Sequence, residues 1–156
     1  MTEFENRLFD AVADALRSVL PPDLGDWHHR THRRGIKVWF GPAAGNKEHY
    51  ESQVLARRHV DGTDGLTIET GFHAEHNDVA ANDAVLERVL KAQKRWRKVL
   101  GKEAEAGPFY GRPEDWRRIS EVWIEPDLDD PELAFALAMR LTDYIETIEP
   151  LRVAGH

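Results

Sequence analysis

Residues 49–76 read HYESQVLARRHVDGTDGLTIETGFHAEH, and the way the two halves of this stretch alternate decides the fold. Successive side chains of an extended strand point to opposite faces. In the second half Leu66, Ile68, Thr70, Phe72 and Ala74 therefore share one face, and Thr67, Glu69, Gly71, His73 and Glu75 share the other. The first half repeats the pattern, with Tyr50, Val54 and Ala56 against His49, Glu51, Gln53 and Arg57. Between them lies the turn cluster Asp61-Gly62-Thr63-Asp64-Gly65. Two alternating runs around such a cluster predict an antiparallel hairpin with one apolar and one polar face.

Working outward, Trp27–His32 leads through Arg33-Arg34-Gly35 into the strand-like Ile36–Phe40, and GPAAGNKE reads as a loop. Ahead of these, Phe4, Leu8, Val12, Leu16 and Val19 recur on one helical face, widened by Phe9, Ala13 and Leu20. Thr2 and Glu5 form a capping-box pattern, and Pro21-Pro22 stops this helix. Downstream, a long helix is predicted over Val79 to Leu100, with Val85, Leu86, Val89, Leu90, Trp96, Val99 and Leu100 as its stripe and Gly101 as its stop. KEAEAGPFYGRP reads as a loop, and DWRRISEVWIEPD as a fifth strand with Trp116, Val122 and Ile124 in phase. Asp130 followed by Pro131 starts the closing helix, whose stripe is Leu137, Leu141, Tyr144, Ile145 and Ile148 and which Pro150 ends. The expectation is one α+β domain over residues 1–156: a mostly antiparallel sheet of four to five strands packed by three helices, in the order α-β-β-β-β-α-β-α.

The net charge of −7 argues against a general binder of nucleic acid or of anionic membranes, since both need a positive field. The chain has no cysteine, which removes disulfides, thiolate metal sites and cysteine nucleophiles together. Acids at Glu3, Glu5, Asp10 and Asp14 interrupt the first segment, so it does not read as a signal peptide. No apolar run approaches the ~20 residues that span a bilayer. A soluble cytoplasmic protein without a cofactor or membrane contact is the expectation.

Gly71-Phe72-His73-Ala74-Glu75-His76 comes nearest to chemistry. His73 and His76 are the candidate metal ligands, but three apart on a strand they face opposite ways. They converge only if the chain bends after Ala74, toward a helix capped by Asn77 or Asp78. A polar strand end is the plainer reading, and no metal is assigned. Across the hairpin, Glu51 and Gln53 fall near Glu69, His73 and Glu75. Glu51, Glu69, His73 and Glu75 are thus the candidates for an acid/base or cation site, although an ordinary solvent-facing sheet surface ranks ahead. A metal nuclease of the PD-(D/E)XK type wants Glu-x-Lys, and neither Glu51-Ser-Gln53 nor Glu69-Thr-Gly71 supplies the lysine. Arg30, Arg33, Arg34 and Lys37 are candidates for contact with nucleic acid. Lys91, Lys94, Arg95, Arg97 and Lys98 form a second basic run, and Trp27, Trp39 and Trp96 are possible stacking partners. The competing reading puts the charges on solvated flanks and Trp96 in the core. Dinucleotide, P-loop, nucleophile-elbow and H-E-x-x-H motifs are absent from the sequence.

The order of elements, the strands KVWF, HYESQVLAR and LTIETGF, the segment NDAVLERVLKAQKRWRKVLG and the run WRRISEVWIE resemble a small bacterial domain of unknown function that accompanies restriction-type or PD-(D/E)XK-like nuclease modules. The resemblance implies the fold and an accessory role in nucleic-acid or defence systems, and brings no catalytic residue with it. A binding or interaction module follows, with a protein partner or self-association ahead of nucleic acid. Its surface would be a patch including Trp39, Phe109 or Tyr110, or the strand edge Trp27–His32. The alternative is a metal- or carboxylate-dependent hydrolase built on the polar face of the sheet.

Overall fold

Alternation at residues 49–76 produces the hairpin it calls for. The computed structural model describes residues 3–63 and 65–154. In it β3 (Glu48–Leu55) and β4 (Thr67–Ala74) pair antiparallel, setting His49 opposite His73, Tyr50 opposite Phe72 and Gln53 opposite Glu69. β1 (Trp27–His32) and β2 (Gly35–Phe40) extend the sheet on one side, and β6 (Arg112–Ile124) and β5 (Glu105–Phe109) on the other. The result is a six-stranded antiparallel sheet in the order β1-β2-β3-β4-β6-β5, with β1 and β5 as its edges.

Four helices, α1 (Glu3–Val19), α2 (Val79–Leu90), α3 (Gln93–Leu100) and α4 (Leu133–Val153), make the chain order α-β-β-β-β-α-α-β-β-α. Phe9, Val12 and Leu16 of α1 and Leu137, Leu141 and Ile145 of α4 join Val38, Tyr50, Ile68 and Phe72 of the sheet in one buried cluster. Burying each such side chain is worth roughly 1.5–3 kcal/mol, which fixes the apolar faces of β2, β3, β4 and β6 against the helices.

Several sequence expectations need correction. The helix predicted over Val79–Leu100 is two helices, because the chain tightens at Lys91–Ala92: Ala92 N–H turns back to the Val89 carbonyl at 3.1 Å, and that oxygen also accepts from the Trp96 indole at 2.9 Å. The predicted loop KEAEAGPFYGRP holds β5 and the turn into β6, because the strand tolerates Gly107 and Pro108 at a sheet edge, beside a register shift. The sheet thus has six strands, not four or five, and four helices, not three. In β6 the residues facing the helices are Ile119, Glu121 and Trp123, opposite Phe72, Thr70 and Ile68. Trp116, Val122 and Ile124 are in phase as expected, but on the other face. The strand beginning at His49 stops at Leu55, and Arg57–His59 is a 3-10 turn. α4 starts two residues after Pro131, and Asp130 holds its approach by accepting from Glu132 N–H at 2.9 Å. The same helix runs through Pro150 to Val153. The capping pattern of Thr2 with Glu5 and the side chain of Phe4 fall outside the described residues.

Among the described residues no helix packs on the polar face, yet His49, Glu69 and His73 are fully buried there. The sheet buries that face by folding over it. A Cβ on Gly35 would lie 2.7 Å from the Cα of Gln53, and one on Gly71 would lie 2.5 Å from the Cα of Ser120. Real Cβ atoms never come so near, so at both positions the neighbouring strand rises over the polar face. The face becomes a trough, with β1–β2 and β5–β6 as its walls.

Gly71→Ala is expected to lower unfolding stability in urea by about 1–3 kcal/mol, as overpacking does. Gly107→Ala, where nothing lies within 4 Å of the added carbon, is expected to change it by under roughly 1 kcal/mol.

Candidate metal centre

Strand register brings His49 and Glu51 of β3 onto the trough side beside His73 of β4, and Glu75 continues the β4 line, held by a hydrogen bond from its N–H to the Lys47 carbonyl at 2.7 Å. One ligand atom from each of His49, Glu51, His73 and Glu75 lies within 4.8 Å of the others. His49 Nε2 is 3.0 Å from Glu51 Oε1 and 3.4 Å from Glu75 Oε2. His73 Nδ1 is 3.0 Å and 3.4 Å from the same two oxygens. A tetrahedral ion with N and O ligands at about 2.0–2.2 Å holds those atoms roughly 3.3–3.6 Å apart. The four nitrogen–oxygen separations, 3.0 to 3.4 Å, come close to that spacing.

The protons decide what the cluster wants. His49 Nδ1 faces the Asn46 carbonyl at 2.9 Å, and a carbonyl only accepts, so Nδ1 carries the proton. His73 Nε2 donates to Glu69 Oε2 at 2.8 Å. That carboxylate also accepts from Ser120 Oγ at 2.6 Å and, on its other oxygen, from Gln53 Nε2 at 2.8 Å, which holds it as an anion. Each imidazole has therefore spent its one neutral-state proton facing outward. The two inward nitrogens, His49 Nε2 and His73 Nδ1, present lone pairs to two carboxylate oxygens. Such a contact repels unless a cation stands in the middle, either added protons or a metal ion. An outer N–H donated to a carboxylate or a backbone carbonyl is the arrangement that orients metal-bound histidines.

Glu51 is tied down independently. Arg34 N–H donates to His32 Nδ1 at 3.2 Å, leaving His32 Nε2–H to donate to Glu51 Oε2 at 2.7 Å. This fixes the tautomer of His32 and leaves Glu51 Oε1 for the cluster. Burial raises the Glu51 carboxyl, but the bond from His32, with those from His49 and His73 when their inward nitrogens carry protons, outweighs it and holds it well below the carboxylate range. Burial likewise raises Glu69 and Glu75, and His73 above all brings both net downward. Burial lowers the His73 imidazole, and the opposing carboxylates Glu69, Glu51 and Glu75 hold it well above its ordinary value. Phe109 of β5 covers His73 edge-on, with ring centroids 4.7 Å apart.

All four sequence candidates for the polar face, Glu51, Glu69, His73 and Glu75, are brought together, but in a buried trough and not on the solvated surface ranked ahead of it. His76 is a correction. Its Nε2 bonds Glu48 Oε2 at 2.7 Å, away from His73, because the chain enters α2 without turning back. The second imidazole is His49, which sequence reasoning placed on the correct face without pairing it to His73. Its signal was available, since His49 and Glu51 sit two apart on a strand. Asp78, not Asn77, caps α2, accepting from Ala80 N–H at 3.0 Å. Trp96 is in the core. Trp39 is buried with its Nε1–H on the Ala43 carbonyl at 3.2 Å, Phe109 packs on His73, and Arg118 lies over Tyr110 at 4.0 Å, so the patch expected around Trp39, Phe109 and Tyr110 is largely occupied internally. Arg30, Arg33 and Arg34 are exposed on the β1–β2 hairpin, and Lys37 is half-buried at its base. Among the described residues no helix is long and apolar enough to cross a membrane.

The chain matches no protein-family model, no curated protein and no solved structure.

Without metal, stability should depend on pH from both sides. His73 is raised in the fold, so its contribution is complete below its unfolded value of 6.5 and is lost as pH climbs through the higher folded value. Glu51, Glu69 and Glu75 are lowered, so theirs is present above the unfolded value of 4.5 and is lost as pH falls through the lower folded values. Urea unfolding of chelator-treated protein from about pH 3 to about pH 10 is expected to give a domed profile, with the alkaline decline flattened in His73→Gln.

Proposed function

We propose that the protein binds one divalent transition-metal ion of the zinc class in the trough, with His49 Nε2, His73 Nδ1, Glu51 Oε1 and Glu75 Oε2 as ligands. The observation that supports it is the convergence of two inward imidazole nitrogens, each with its outer N–H already committed, on the same two carboxylate oxygens. Two nitrogen and two oxygen donors in a tetrahedral setting suit zinc, cobalt or ferrous iron. Magnesium is a poor occupant, since it takes oxygen ligands in an octahedron and keeps several waters. Glu69, Asn46 and His32 are the supports: the first two orient the histidines, and the third fixes Glu51.

Within this reading the hydrolase, the alternative that the sequence offers for the polar face, becomes the use of the ion. Glu51, His73 and Glu75 hold it, and Glu69 fixes the tautomer of His73 instead of serving as an acid or base. A zinc ion supplies Lewis acidity and a low pKa for bound water when a coordination position is free. Glu75 is the ligand to yield that position, because it is the most exposed of the four at 9%. The interaction module is the weaker reading, since Trp39 and Phe109 are occupied inside the molecule.

Titration with Zn²⁺ after chelator treatment is expected to saturate at one ion per chain, and to add about 2.7 kcal/mol of stability at a hundredfold excess over Kd. His49→Ala and His73→Ala are expected to abolish binding, and Glu69→Gln to weaken it by about 10–100-fold. His76→Ala is expected to leave it unchanged. Equal affinity in His49→Ala and wild type would sink the proposal.

A further inference from the structure

The hairpin β1–β2 does not share the chain's acidity. Residues 27–40 contain Arg30, Arg33, Arg34, Lys37 and three histidines without a single Asp or Glu, in a chain of net charge −7. Arg30 pairs with Lys37 across β1 and β2, and Lys37 pairs with Glu51 across β2 and β3. Directly opposed residues of antiparallel strands share a face, with Cβ atoms about 4.5–5.5 Å apart. Arg30, Lys37 and Glu51 therefore form a row from the exposed edge of the sheet to the metal cluster. At its inner end Lys37 Nζ lies 3.8 Å from Glu75 Oε1, while Glu75 Oε2 faces His49 and His73 at 3.4 Å. The Glu75 carboxylate thus spans an ammonium on one side and the ion position on the other. Arg30 is exposed, and its side chain has no hydrogen-bond or ion-pair partner among the described residues.

Phe109 covers His73, and the Asn46 carbonyl segment lies behind His49. Glu75 and Lys37, with 10% and 21% of their side chains exposed, keep contact with solvent at the inner end of the row.

Resting on the metal reading, we propose that this row is the docking site of a phosphate group, one oxygen of which reaches the metal ion over Glu75 while the others meet Lys37 and Arg30. A phosphate offers an oxygen edge of nearly the same span as the carboxylate that already bridges Lys37 and the cluster. It also has the further oxygen that a carboxylate ligand would lack for Arg30. Guanidinium and ammonium groups beside a metal ion are the usual partners of phosphoryl oxygens. The phosphate arrives either on a small ester or on a polynucleotide, and both present the same oxygens to the row.

The test uses the protein loaded with Co²⁺, a paramagnetic ion of the class the donors suit, and freed of excess metal, with the ³¹P relaxation of inorganic phosphate, a nucleoside monophosphate and a short single-stranded oligonucleotide as the readout. Saturable ³¹P broadening that Arg30→Ala weakens by about tenfold, with metal content unchanged, is the expected result. A loaded chain that leaves phosphate unbroadened, or an Arg30→Ala variant that broadens it as wild type does, overturns the proposal alone. A chain that takes up no ion overturns the metal reading and this one together. Tighter binding of the oligonucleotide than of the monophosphate assigns the polynucleotide source, and equal binding assigns the small ester.

Discussion

Three buried carboxylates, Glu51, Glu69 and Glu75, set the terms for the trough side of this sheet. An ionised carboxylate removed from water without a partner costs several kcal/mol, more than the burial of any one core side chain returns. The molecule answers with hydrogen-bond donors for Glu69 and His32 for Glu51, and leaves the centre to whatever positive charge can enter between two imidazoles. Other features serve that arrangement. The β3–β4 register sets His49 opposite His73. A slip of one residue would exchange the polar set for Tyr50, Val54, Ile68 and Phe72 and turn the core outward. The glycines at 35 and 71 let the strands fold near enough for the side chains to meet.

The candidate site was half legible in the sequence, for an identifiable reason. Period-two alternation in residues 49–57 and 66–76 places Glu51, Gln53, Glu69, His73 and Glu75 on one face, because it follows from strand geometry alone. What alternation cannot report is depth. The polar face is buried by long-range folding at Gly35 and Gly71, and by Phe109 of a strand written in residues that resemble a loop. Edge strands need no apolar alternation, so β5 left no periodic signal. The same limit explains β6. Trp116, Val122 and Ile124 look like a core face by hydrophobicity, whereas pairing with β4 puts Ile119, Glu121 and Trp123 there, with Glu121 made acceptable by Arg140 and Tyr144. The choice of His76 over His49 came from weighing sequence proximity above cross-strand pairing, although opposed residues on adjacent strands lie closer than neighbours three apart on one strand.

The chain also shows what it builds when a buried acid needs a permanent partner. Beneath α4, Glu121 receives Arg140 Nε–H at 2.8 Å and Tyr144 O–H at 2.8 Å. Glu149 receives Tyr50 O–H at 2.9 Å and two guanidinium bonds from Arg152 at 2.7 Å each. Arginine cannot lose its charge, so these networks are complete under all ordinary conditions. At the centre of the trough no arginine touches Glu51 or Glu75 among the described residues, and the nearest fixed cation, Lys37, stands 3.8 Å from Glu75. The positions that would hold guanidinium groups elsewhere in this fold hold two histidines, whose charge is optional. Their inward nitrogens either take protons or surrender them to an ion. A purely structural ion pair has no use for that option, since it would weaken whenever the imidazoles lost their protons. A metal centre requires it, because a nitrogen must be free of its proton before it can bind. Histidine in the place of arginine is therefore the chemical difference between this cluster and the acid networks beneath α4.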